Sequence, residues 1–90
     1  MSRNFCASFG LAVKRLREAR DWSQEKLAEV ADLNRSYVGE IERGAVVPSL
    51  VTLKKIADAF SVSPSALVAD SERIDEHRRD RAIRLTAIAC

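Results

Sequence analysis

Apolar residues recur at three- and four-residue steps along the first twenty positions of the chain. Phe9, Val13 and Leu16 follow this spacing, and Cys6 precedes them by about one turn. The spacing places these side chains on one face of an amphipathic helix. We predict this helix from about residue 5 to residue 20.

Two shorter helical segments follow, each preceded by a residue that favours helix N-termini. Ser23 precedes a run of strong helix formers at 24–31, and Asn34 precedes a second segment at about 35–43. The apolar phase shifts over the three residues between them, so the two helices are predicted to meet across a short turn. Gly44 can end the second helix because glycine adopts left-handed backbone angles without strain.

The pattern continues through a fourth and a fifth segment. Ser49 is the N-cap of a predicted fourth helix. Ser63 and Pro64 mark the start of a brief fifth helix, since proline is well tolerated at the first helical position. The inner stripe of the fourth helix is predicted to consist of five residues: Leu50, Leu53, Ile56, Ala57 and Phe60.

From residue 71 onward acidic and basic residues alternate. The acid-first pairs Asp75 with Arg79 and Asp80 with Arg84 support a sixth, weaker helix. The predicted fold is therefore all-α: a compact five-helix domain with a short C-terminal helical extension. We assign residues 1–70 to the domain and residues 71–90 to the extension.

The composition fits one small domain in a reducing compartment. Ninety residues, 47% of them hydrophobic and 31% charged, are too few for two independent cores. Cys6 and Cys90 form no spaced motif, which is typical of a cytoplasmic protein. No signal peptide and no apolar run of about 18 residues is present, so we expect no membrane association. The net charge of +2 permits a polyanionic partner without requiring one.

Features typical of an enzyme are missing from the sequence. It contains no glycine-rich phosphate loop, no Cys or His pair at metal-ligand spacing and no serine-nucleophile motif. His77 lies among scattered carboxylates, which are more often a solvated helix face than a coordination shell. We therefore expect no catalytic residue, no metal and no cofactor.

The segment from Ser23 to Gly44 has the layout of a helix-turn-helix unit. Small and polar side chains on the outward face of its second helix would suit a DNA major groove, where Arg can bond guanine and Glu can accept from cytosine. An ordinary solvated helix face has a similar composition, so periodicity alone leaves both interpretations open. With Val38 and Ile41 facing the core, the outward residues are Ser36, Gly39, Glu40 and Arg43.

These residues resemble the helix-turn-helix domain of lambda-repressor and Cro-like regulators, the XRE family. The resemblance covers about residues 9–69, and the small size is similar to that of restriction-modification controller proteins and antitoxins. It rests on three spaced groups: Ser23, Gln24, Leu27 and Ala28; Arg35, Ser36, Tyr37, Val38, Ile41, Glu42, Arg43 and Gly44; Pro48, Ser49, Leu50, Leu53, Ile56, Ala57, Phe60 and Val62.

The resemblance implies DNA-binding roles at particular positions. Gln24 matches a residue that touches backbone phosphate and braces the recognition helix. Asn34 and Tyr37 match positions near the sugar-phosphate edge, and Arg43 approaches the backbone. The positions that match base-facing residues of the family are Arg35, Ser36, Gly39 and Glu40.

The resemblance also implies a structural ion pair and draws attention to two departures. Arg17 and Glu42 match positions that often form a buried pair between the first and third helices, and losing one partner is expected to cost about 3–5 kcal/mol. Asp32 stands where the family commonly has glycine in the turn, and aspartate tolerates that conformation better than most residues. Glu40 brings a negative charge to the DNA side, so it either reads cytosine or disfavours wrong sequences.

The expected function is sequence-specific binding of double-stranded DNA by a dimeric transcription regulator. The recognition helix at about 35–43 would enter the major groove of an inverted-repeat operator, with repression and activation equally compatible. A homodimer is expected through residues 64–68, with a further contribution from the C-terminal tail. The alternative is a protein-interaction module such as an antitoxin, whose sparse apolar edge from Ile74 to Ile88 binds a partner protein.

Overall fold

The chain folds into five α-helices in the computed structural model, which describes the backbone of residues 3–89 and the side chains of residues 5–78. Over this range it contains no strand, and the all-α fold class is confirmed. The helices are α1 (Arg3–Ala19), α2 (Gln24–Ala31), α3 (Arg35–Glu42), α4 (Leu50–Ala59) and α5 (Pro64–Ala89).

The N-termini of α2 to α5 are capped by side-chain oxygens. Each oxygen accepts a hydrogen bond from a backbone N–H in the first turn, over 2.8 to 3.1 Å. These bonds satisfy donors that have no partner within the helix. The capping residues are those expected from the sequence: Ser23, Asn34, Ser49 and Ser63.

The C-termini of α1 to α4 close in one shared geometry. A residue with left-handed angles, φ between 56° and 72°, follows each helix: Asp21, Asp32, Gly44 and Ser61. The N–H of the next residue then bonds to a carbonyl five positions earlier, over 2.8 to 3.1 Å. This is the Schellman arrangement, which ends a helix and redirects the chain. The turn at Asp32 therefore forms with aspartate in place of glycine.

The predicted break between a fifth and a sixth helix is wrong. Helix α5 runs without interruption over 26 residues from Pro64 to Ala89. No glycine or proline follows Pro64, so the sequence offers nothing that would end the helix. The boundary expected at residue 70 lies inside α5. Within residues 3–89 no helix, α5 included, is both long enough and apolar enough to cross a membrane.

Residues just beyond that boundary pack against α1. Ser71 and Asp75 are buried, and Ser8 Oγ donates a hydrogen bond to Asp75 Oδ1 over 3.2 Å. Asp75 therefore does not lie on a solvated face, contrary to expectation. Ile74 packs against the core. The expected partners Arg79 and Arg84, the tail from Ala82 to Ile88 and Cys90 lie outside the described side chains.

One apolar core lies between the helices. Helix α1 packs on α3 and α5, α2 packs on α3 and α4, and α4 packs on α5. Leu50 was expected on the inner stripe of α4, but its side chain is 82% exposed. It is the first residue of α4, where the helix has not yet reached the core. The largest fully buried apolar residues are Phe60, Leu27, Ile41, Ile56, Leu67, Val13 and Val38.

Candidate nucleic-acid interface

Helices α2 and α3 form the expected helix-turn-helix unit. Apolar side chains of the two helices, among them Leu27 and Val38, pack in the same buried cluster. Lys55 Nζ of α4 donates a hydrogen bond over 3.3 Å to the carbonyl oxygen of Asp32 in the turn. The turn is thus attached to α4, so α2, α3 and α4 form one framework.

Helix α3 lies very close to α1 at Gly10. A Cβ at this position would lie 2.3 Å from the carbonyl oxygen of Ile41 and 2.6 Å from that of Glu42. Only glycine permits this approach, because both neighbouring atoms belong to the backbone. Gly10 therefore sets how deeply α3 sits against α1.

The expected ion pair between Arg17 and Glu42 is present and engages two atoms on each side chain. Arg17 Nε donates to Glu42 Oε2 over 2.7 Å and Nη2 donates to Oε1 over 3.0 Å, while Nη1 donates to the carbonyl of Trp22 over 2.8 Å. The two side chains are only 12% and 3% exposed. The pair joins α1 to the C-terminal end of α3.

The pairing with Glu42 raises the pKa of Arg17. The bond to Glu42 is the main cause, burial opposes it, and the charges of Glu42 and Glu18 add to it. Because the pKa is raised, the charged Arg17 side chain stabilises the folded state at lower pH, and this stabilisation is lost only as pH rises through the raised value. Arg17 therefore stays charged throughout the neutral range.

Gln24, the first residue of α2, completes this cluster. Its Nε2 donates to Glu42 Oε1 over 3.0 Å. One carboxylate thus receives donors from α1 and from α2, so the bracing role implied for Gln24 has a structural basis. Its contact with phosphate stays a prediction.

The outward side of α3 presents most of the residues expected to face DNA. Arg35, Ser36 and Arg43 are exposed, and Glu40 is half-buried. Asn34 is exposed as well, and its Oδ1 accepts a hydrogen bond from the N–H of Ser36 over 2.8 Å. Three of the four predicted base-facing residues therefore retain solvent access.

Gly39 is the exception, and its expected position on the outward surface is wrong. The residue is buried, and a Cβ there would lie 3.1 Å from Arg43 Nη1 and 3.7 Å from Gln24 Oε1. A helical wheel does not include the long side chains of neighbouring residues, which here cover the position. Gly39 makes room for Arg43, whose guanidinium lies over the helix towards Gln24.

Tyr37 is half-buried and faces α4. Its hydroxyl lies 3.4 Å from Thr52 Oγ1, which in turn accepts a hydrogen bond from Ser49 Oγ over 3.1 Å. Tyr37 thus belongs to the contact between α3 and the start of α4. The contact with the sugar-phosphate edge stays a prediction.

An exposed apolar group that the sequence pattern did not predict follows the recognition helix. Val47, Leu50 and Val51 are 64%, 82% and 66% exposed. The available signal was the uncharged run 45–48 that leads into the first turn of α4. Large exposed apolar groups clustered in this way are typical of surfaces that bind other molecules.

Comparison with known proteins identifies the architecture. The profile of the helix-turn-helix family HTH_3 matches residues 13–67. The chain belongs to the helix-turn-helix family. The family consists of DNA-binding transcription regulators rather than enzymes, so the unit formed by α2 and α3 is a DNA-binding unit and the chain is a transcription regulator.

Several curated proteins are similar in sequence. Control protein C.BamHI of Bacillus amyloliquefaciens is 41% identical over 69 residues, which cover 76% of this chain and 85% of that protein. Control protein C.MunI of Mycoplasma sp is 42% identical over 66 residues, covering 72% and 89%. The immunity repressor of Bacillus phage phi105 is 39% identical over 71 residues, and the chain spans about half its length, 49%.

Solved structures support the same fold. The restriction-modification controller protein C.AhdI from Aeromonas hydrophila is 44% identical, with a TM-score of 0.67 over 69% of this chain and 94% of that one. The clp gene regulator ClgR from Corynebacterium glutamicum is 18% identical, yet its TM-score is 0.88 over 93% of this chain and 89% of its own. That likeness concerns the fold alone.

Proposed function

We propose that the protein is a sequence-specific regulator of the restriction-modification controller type that binds an inverted-repeat operator as a homodimer. The main support is the clamp on Glu42, which Arg17 and Gln24 hold from two different helices. A recognition helix fixed in this way presents its side chains to a groove with little loss of conformational entropy on binding.

The proposed contacts divide into base readout and backbone positioning. Arg35, Ser36 and Glu40 read base edges in the major groove. Gln24 and Arg43 contact phosphate, where they position the protein without reading sequence. Asn34 and Tyr37 complete the positioning contacts near the sugar-phosphate edge, and Gly39 acts indirectly by accommodating Arg43.

The proposed dimer places two recognition helices about 34 Å apart, in successive major grooves. Residues 64–68 are the proposed contact between the protomers. Within this range Leu67 is fully buried in its own protomer, and the exposed residues are the small Ser65 and Ala66. The dimer proposal therefore also includes the exposed group Val47, Leu50 and Val51. We further propose that the protein acts in the cytoplasm without a cofactor or a catalytic activity.

Selection of bound sequences from a random duplex pool tests the operator proposal. We expect an inverted repeat with half-sites about one helical turn apart. Arg35→Ala should then weaken binding to the selected duplex by about 1–3 kcal/mol with little change on random duplex, whereas Gln24→Ala should weaken both. Lys54→Ala on the exposed face of α4 is the matched control. Equal losses on both duplexes for Arg35→Ala would refute base reading by that residue.

A further inference from the structure

Two depressions lie along the seam between α1 and α5. The larger, about 610 Å³, has Ala7, Leu11 and Ile74 on its floor and also reaches the C-terminal end of α3. The smaller, about 290 Å³, includes the apolar residues Ala12 and Leu16. Arg15 and Ile74 line both depressions, so the two are neighbours, and together they are called the α1/α5 groove.

The rim of this groove is strongly basic. Lys14, Arg15, Arg43 and Arg78 line the larger depression, and among the side chains of residues 5–78 Glu42 is the one carboxylate that lines it. That carboxylate already accepts hydrogen bonds from Arg17 and Gln24 outside the groove. In the smaller depression Arg73 is paired with Asp70. The larger depression thus keeps four positive side chains around an apolar floor.

The shape and chemistry of the groove fit a helix rather than a nucleic-acid backbone. Leu11 and Arg15 lie one and two turns beyond Ala7 on the same face of α1, so this wall extends about 12 Å, enough for two turns of a docked helix. Phosphates need positive charge but gain nothing from an apolar floor. We propose that the α1/α5 groove binds an acidic amphipathic helix of a partner protein, with apolar side chains on the floor and carboxylates on the basic rim.

The position of Arg43 couples this groove to the recognition helix. Its guanidinium covers Gly39 beside Gln24, and the same residue lines the groove. A carboxylate that draws Arg43 into the groove removes it from DNA, so the acidic partner lowers DNA affinity. This coupling rests on the proposed function, whereas binding of the helix itself does not.

A pair of designed peptides tests the groove in the absence of DNA. The probe is a fluorescein-labelled 16-residue peptide with leucine at alternating three- and four-residue steps, glutamate at four positions beside the leucines and alanine elsewhere, a composition that favours a helix. Its control has lysine in place of every glutamate. We expect the acidic peptide to raise the fluorescence anisotropy on binding and the basic peptide not to bind. No binding of the acidic peptide, or equal binding of both, would overturn the proposal.

Charge reversal locates the site on the protein. Lys14→Glu combined with Arg78→Glu should lower the affinity for the acidic peptide by tenfold or more, since like charges then face each other. Both side chains are exposed, so the variant should fold, which circular dichroism checks. Lys54→Glu on α4 combined with Lys26→Glu on α2 is the matched control, since it reverses two exposed charges outside the groove, and it should leave peptide affinity unchanged. A similar loss for this control indicates attraction to any polyanion and overturns the assignment.

Amide chemical shifts and duplex competition complete the test. Peptide-induced shifts should cluster at Ala7, Leu11 and Ile74, and shifts centred on α4 instead would exclude the groove. If Lys14→Glu combined with Arg78→Glu weakens the binding of duplex DNA as strongly as the binding of the peptide, the groove is a phosphate contact and the proposal fails. If the peptide binds but does not displace duplex, only the coupling through Arg43 is wrong.

Discussion

Arg17 and Glu42 lie 25 positions apart in the sequence, yet the Arg17 Nε to Glu42 Oε2 distance is 2.7 Å. A second bond joins Nη2 to Oε1 over 3.0 Å, so the guanidinium plane and the carboxylate plane are aligned. Because Gln24 donates to the same carboxylate, Glu42 connects α3 to both α1 and α2. The orientation of α3 therefore depends on one acidic side chain that does not itself face DNA.

Removing the charge of Glu42 should destabilise the fold. In Glu42→Gln the guanidinium of Arg17, only 12% exposed, keeps its charge without a carboxylate partner, and we expect a loss of about 3 kcal/mol in the free energy of unfolding. Urea denaturation followed by circular dichroism measures it. Glu72→Gln, at an exposed residue of α5, is the control and should change stability by less than about 0.5 kcal/mol. Equal effects of the two changes would show that the pair contributes little.

Adding one methyl group at Gly10 should also destabilise the protein. Replacing a solvent-exposed glycine in a helix by alanine stabilises the helix by about 1 kcal/mol. Gly10→Ala instead forces a Cβ to within 2.3 Å of a carbonyl oxygen, so α1 and α3 must separate. We expect a net loss of about 1–3 kcal/mol, measured as a lower Tm. An unchanged or higher Tm would mean that the two helices can move apart without cost.

The corresponding change at Gly39 should separate stability from DNA binding. In Gly39→Ala the new Cβ meets Arg43 Nη1 at 3.1 Å, and this flexible side chain can move aside. We expect stability equal to that of the wild type or up to about 1 kcal/mol higher, together with weaker duplex binding because Arg43 is displaced. Thermal unfolding and fluorescence anisotropy with a labelled duplex measure the two effects. Unchanged duplex affinity would show that the position of Arg43 does not matter for binding.

A charge at Leu50 should prevent dimerisation without unfolding the protomer. Leu50 is 82% exposed, so Leu50→Glu removes little from the core but places a carboxylate in the proposed interface. Sedimentation equilibrium should show a monomer, and circular dichroism should show unchanged helix content. Val30→Glu on α2, at a residue 42% exposed, is the control and should remain dimeric. A dimeric Leu50→Glu variant would leave residues 64–68 as the proposed interface.

Local features were predictable because the atoms that decide them are neighbours in the chain. Each N-cap needs one side-chain oxygen two or three residues from a free N–H, and Ser23 and Asn34 supply it. The left-handed turn at Asp32 needs only a residue that tolerates positive φ. The ion pair of Arg17 with Glu42 is different, because it joins two helices and was expected only from the family resemblance.

The sequence by itself determined the first four helices, the N-caps and the helix-turn-helix pattern, since these follow from periodicity and from contacts within a few residues. The unbroken course of α5 was not predicted. Only the tertiary structure decided that Gly39 is covered, that Leu50 is exposed and that Asp75 is buried. It also decided that α1 and α5 enclose a basic groove. The burial of Asp75 depends on α1, and Gly39 is covered by Gln24 of α2 as well as by Arg43 of its own helix. The pattern of apolar and polar residues within one helix does not contain these positions of other side chains.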